Sequence, residues 1–167
     1  MQKHLLAIVA LFVIAAMSVV NGAAISDEPV LMTMQSANGN EINDTQAGQL
    51  ANKSWNTFVE NYDYQSEILN QTLNGNITSN EAMVSITALF VLNSQALDEA
   101  KRMNLGEKYA TFHNYTINSM TYYNVYLYNM AKLFETKNGK YSRIARDAFN
   151  LSKEYYEMGK EEAEFIY

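Results

Sequence analysis

His113 is the only histidine beyond the first few residues of this 167-residue chain, so chemistry that needs imidazole must use it. One histidine cannot supply paired Glu-x-x-His ligands for a di-iron bundle, nor a histidine-rich zinc site. As an axial haem ligand with a methionine partner it is a weak cofactor-binding candidate, since nine methionines are present. A core or edge histidine held by hydrogen bonds is the plainer expectation. No cysteine occurs, which excludes disulfides, thiolate metal sites and cysteine nucleophiles. No serine nucleophile motif, phosphate-binding glycine loop or alternating calcium-ligand loop is present. The acids Asp98 and Glu99 precede Lys101 and Arg102 and read as a solvated face, as do Glu161, Glu162 and Glu164. The expectation is a protein that is not an enzyme, with no metal and no cofactor.

The modification chemistry is richer. Six N-x-S/T sequons begin at Asn43, Asn52, Asn70, Asn76, Asn114 and Asn150, more than the composition gives by chance. In an exported protein each is a candidate for N-glycosylation. Asn70 and Asn76 flank a turn signal and are the best placed, whereas Asn52, Asn114 and Asn150 fall within helical patterns.

Export is the reading of the N-terminus. Lys3 and His4 precede the uncharged run Leu5–Val20, and small residues follow at 21–24. That order is the one a secretory signal uses. Sixteen uncharged residues are short for a membrane span, which takes about 20. The expectation is a signal peptide over 1–24, cleaved near Gly22–Ala24, and a secreted or cell-envelope location. The rival is an uncleaved N-terminal anchor on a surface structural protein, the one way this chain would meet a membrane. Residues 25–43 lack helical periodicity, hold the only proline, and read as a flexible tether.

The remaining 44–167 reads as one all-α domain. Hydrophobic content of 48% allows a packed core, while a net charge of −6 disfavours nucleic acid. Apolar periodicity predicts four helices: about Asp44–Thr72, Ser79–Asn104, Glu107–Lys137 and Tyr141 to the end. Thr78 and Glu81 have capping-box spacing, and Gly106 suits a C-terminal stop for the second helix. Helices this long with short connections predict an antiparallel up-down-up-down four-helix bundle. In the third helix Ala110, His113, Ile117, Met120, Asn124, Leu127, Ala131 and Phe134 form an expected core seam. In the fourth, Tyr141, Ile144, Ala148, Leu151, Tyr155, Met158, Glu162 and Phe165 do the same. Asn124, polar on an apolar seam, is expected to fix register.

The third helix has no formal charge from Tyr109 to Ala131, and the second has none from Ala82 to Leu97. Tyr115, Tyr122 and Tyr126 are spaced to align outside the third helix's seam, as an outward aromatic strip and interaction candidate. The function these observations favour is a non-catalytic, glycosylated, exported bundle. It would act through surface interactions, with its own copies in a homo-oligomer or with a cell-envelope protein. The alternative is a carrier or sensor holding haem, a metal or a small apolar ligand in the bundle interior.

Overall fold

The computed structural model describes residues 44–166. The expected signal segment 1–24, the expected tether 25–43 and the Asn43 sequon lie outside the described residues. Four helices make up the fold: α1 (Asp44–Leu73), α2 (Ser79–Arg102), α3 (Glu107–Thr136) and α4 (Gly139–Ile166). No strand occurs among the described residues. Connections of a few residues force sequential helices to run antiparallel, giving the expected bundle.

The turn chemistry sets these boundaries. Gly75 takes φ 72°, and the amide of Asn76 bonds the Gln71 carbonyl at 2.9 Å, closing α1. The capping box opens α2: the Thr78 amide donates to Glu81 Oε2 at 2.8 Å, and the Glu81 amide donates to Thr78 Oγ1 at 3.2 Å. Bonds donated by the Thr78 amide and by its hydroxyl hold the Glu81 carboxyl below its usual range. Gly106 is not the stop of α2. That helix ends at Arg102, where Met103 turns extended, and Gly106 (φ 73°) is instead the N-cap of α3. At the last connection the left-handed position is Lys137 (φ 55°), and its amide bonds the Leu133 carbonyl. Gly139 is therefore free to begin α4.

α3 is the central helix. It packs against each of the other three, whereas no Cα of α1 comes within 8 Å of one in α4 among the described residues. The absence of charge from Tyr109 to Ala131 follows from this position, since a helix covered on three sides has little solvated face to furnish. Its buried face holds Tyr109, Phe112, His113, Thr116, Ser119, Met120, Tyr123, Tyr126, Leu127 and Asn129. The expected seam is thus one edge of a wider face. His113, Met120 and Leu127 are buried, but Ala110, Ile117, Asn124, Ala131 and Phe134 are half-buried.

Side chains rather than backbones close the gap between α1 and α4. Trp55 stacks on Tyr156 at 4.9 Å between ring centroids, Tyr156 on Tyr62 at 5.9 Å, and Tyr62 on Phe149 at 5.5 Å. Rings from the two helices alternate along the seam. Phe58 and Tyr123 sit beneath them, fully buried.

α3 and α4 approach differently. The buried residues of α4 are small: Ala145, Ala148, Ser152 and Gly159. Helix separation is set by the side chains at the contact, so small residues let the two backbones come close. Ser119 Oγ donates to the Ser152 carbonyl at 2.8 Å, and Ser152 Oγ returns the bond to the Ser119 carbonyl at 2.9 Å. Reciprocal bonds of this kind need close backbones.

Candidate functional surface

With small residues turned inward, the large apolar residues of α4 are left outside. Ile144 is 37% exposed, Leu151 39%, Met158 36% and Phe165 85%. This corrects the expected fourth seam at these four positions, whereas Ala148 on the same seam is buried as expected and Tyr141, Tyr155 and Glu162 are half-buried. The 3-4 spacing is real, but hydrophobicity ranked these residues as core, and the contact with α3 is made by the small residues beside them. Seven residues is close to two helical turns, so the four form one line roughly 32 Å long. On its outer flank stand Lys140, Arg143 and Asp147, then Asn150, then Glu154, Glu157, Glu161 and Glu164, all exposed.

The other flank of the line meets the tyrosines of α3, and here the expectation of an outward strip is overturned. Tyr126 is only 5% exposed and packs on Phe149 at 5.0 Å between centroids. Tyr115 and Tyr122 are half-buried beneath Tyr155 of α4, which stacks on Tyr122 at 5.7 Å and 5° between planes. The side of α3 that its own periodicity marks as outer faces α4. A single-helix wheel carries no information about a third neighbour.

His113 is fully buried and bonds the Ala100 carbonyl of α2 through Nε2 at 2.9 Å. A carbonyl only accepts, so Nε2 carries the proton and Nδ1 is the bare nitrogen, which has no partner among the described residues. Burial lowers the pKa of the ring, and the Ala100 bond offsets this only in part. One imidazole so held is a clamp between α2 and α3. Among the described residues no cluster of three or more His, Cys, Asp or Glu side chains forms a metal site.

Asn124 makes a second clamp between the same helices. Its Oδ1 accepts from Asn93 Nδ2 at 2.8 Å, its Nδ2 donates to Ser94 Oγ at 3.1 Å, and Asn93 Nδ2 also reaches the Met120 carbonyl at 2.9 Å. These bonds lock the register of α2 on α3, the role its position on the seam implied. Asn93 is fully buried and carries half of this clamp, yet it drew no attention in the sequence. The signal available is a lone asparagine that follows the apolar stretch Ala88–Leu92 in an uncharged helical run. Tyr123 Oη donates to the Asn61 carbonyl at 3.0 Å, and burial raises its pKa far above the ordinary phenol value, so it remains a donor.

The sequon asparagines Asn52, Asn70, Asn76, Asn114 and Asn150 are all exposed. Their partner hydroxyls are not equivalent. Positions two apart on a helix point to nearly opposite sides, so an exposed asparagine turns its Ser or Thr inward. Ser54, Thr116 and Ser152, the hydroxyl residues of the Asn52, Asn114 and Asn150 sequons, are buried. Asn76 lies in the turn, and its Thr78 is exposed at the start of α2.

Compared with known proteins, the chain matches no family model, no curated protein and no solved structure. No helix among the described residues is long and apolar enough to cross a membrane.

Proposed function

We propose that this chain is an exported, N-glycosylated helical bundle that carries out no catalysis and acts by surface contact. The partner is another copy of itself or a protein of the cell envelope. The observation that carries this reading is the exposed apolar line of α4. Apolar side chains lined up over several turns are the usual mark of a contact surface, whereas scattered ones need no explanation. The signal-like N-terminus supports export, and the five exposed sequon asparagines support glycosylation.

The geometry of the sequons adds an order of events. An enzyme that reads N-x-S/T must reach both the amide and the hydroxyl. At Asn52, Asn114 and Asn150 the folded helix hides the hydroxyl, so any sugar at these sites is added before the domain folds. The turn at Asn76 leaves both groups accessible afterwards.

Native mass spectrometry of the protein from its own source tests this reading. The expected spectrum shows a chain beginning near residue 25, carbohydrate mass, and association with a protein partner. A retained haem, metal or small ligand, or a bare monomer that starts at Met1, would contradict it.

A further inference from the structure

The exposed line on α4 has an occupant that its charge order specifies. Lys140 and Arg143 flank the line at its start, and Glu154, Glu157, Glu161 and Glu164 flank it towards its end. This order runs against the helix macrodipole, which favours acids in the first turn and bases in the last. The order therefore does not stabilise α4 on its own. Among the described residues neither Arg143 nor Glu157 makes an ion pair, while Asp147, the acid in the basic half, lies 3.4 Å from Arg146 of its own helix. A basic start and an acidic end are complementary to the same helix run backwards.

Resting on the reading of a surface-acting bundle, we propose that α4 of one copy pairs antiparallel with α4 of a second copy along this line. Leu151 sits on the twofold axis against its own counterpart, and Ile144 meets Met158 of the other copy. In that register Arg143 faces the other copy's Glu157, and Lys140 faces its Glu161. Asp147 falls opposite Glu154, a like-charge pair that the intrahelical Arg146 screens. A parallel pair would set every charge against its own kind.

Asn150 lies midway between Arg143 and Glu157 at the same seven-residue spacing and is exposed. It therefore stands beside the axis. Sugar on Asn150 obstructs pairing, and its absence permits it, so occupancy of one sequon sets how strongly two copies associate.

Sedimentation equilibrium on the mature full-length chain over a range of concentrations, before and after enzymatic removal of sugar, tests the proposal. Circular dichroism confirms that each variant keeps its helices. The sugar-free chain should form a reversible dimer, and Leu151→Glu should weaken it by about tenfold or more, because a carboxylate buried without a partner is costly. Arg143→Glu and Glu157→Arg should each weaken pairing, and the double variant should recover it, the signature of a direct charge pair. Because the chain has no cysteine, introduced ones report direction. Leu151→Cys copies should link to each other; Ile144→Cys copies should link to Met158→Cys copies but not among themselves.

A dimer indifferent to Leu151→Glu, or Ile144→Cys copies that link to each other, would overturn this geometry and leave the surface-contact reading standing. So would a monomer in both forms with a different protein seated on the line. A monomer that takes no protein partner at all would overturn both.

Discussion

At the scale of single residues, the interior holds polar groups that each do one mechanical task. His113 joins α3 to the Ala100 carbonyl of α2, and its Nδ1 is buried with no partner among the described residues. Protonation would place an unmatched N–H and a charge in the core, which is why burial lowers its pKa. In the unfolded chain histidine titrates near 6.5. The stabilisation that comes from keeping His113 neutral is therefore complete above that value. It is lost as pH falls below it towards the lower folded-state pKa. Denaturant unfolding at pH 7.5 and pH 5.5 should show lower stability at the acid end, and His113→Gln should flatten that slope. An unchanged slope would mean that carboxylates, not His113, govern it.

Gly159 is the second such residue. A Cβ there would lie 2.9 Å from Trp55 Cζ3 and 3.4 Å from Tyr115 Cβ, so the bare backbone makes room for the indole. Gly159→Ala gains about 1 kcal/mol of helix propensity. Overpacking against Trp55 should outweigh it, for a net loss of roughly 1–2 kcal/mol by thermal unfolding. Trp55 is the sole tryptophan, so its fluorescence should shift in the same variant. A more stable protein with unchanged emission would show that Trp55 yields easily.

At the scale of elements, the helices of this bundle meet in two ways. α1 and α4 stand apart and are joined by alternating rings, whereas α3 and α4 are close and joined by alanines, serines and a glycine. The sequence gives away the number of helices, their approximate ends and the capping box at Thr78, because these depend on local chemistry. The inward face of α4 is legible only at Ala148, because periodicity locates a stripe of large apolar residues and is silent about whether small neighbours such as Ala145, Ser152 and Gly159 make the closer contact. The outward reading of Tyr115, Tyr122 and Tyr126 failed for a related reason: α3 has three neighbours, so its apolar arc is wider than a seam. Asn124 was legible as a register residue, because a lone amide on an apolar seam has few other uses, but its partner Asn93 is fixed only by tertiary geometry.

At the scale of the whole molecule, the account rests on which face of α4 is inside. A bundle with no cysteine has no disulfide to hold it, so residues that pack must be distinguishable by energy from residues that do not. Ala148 is 5% exposed on the side towards the core, and Leu151, three residues later, is 39% exposed on the line assigned to contact. Chemical unfolding of Ala148→Leu and Leu151→Ser, at dilutions where the chain is a monomer, compares the two faces directly. Leu151→Ser should stay within about 0.5 kcal/mol of the parent, as exposed substitutions do. Ala148→Leu should lose about 1–3 kcal/mol by overpacking a tight contact. The opposite order, with Leu151→Ser costly and Ala148→Leu tolerated, would mean that the large apolar residues face the core and that no contact line exists on α4.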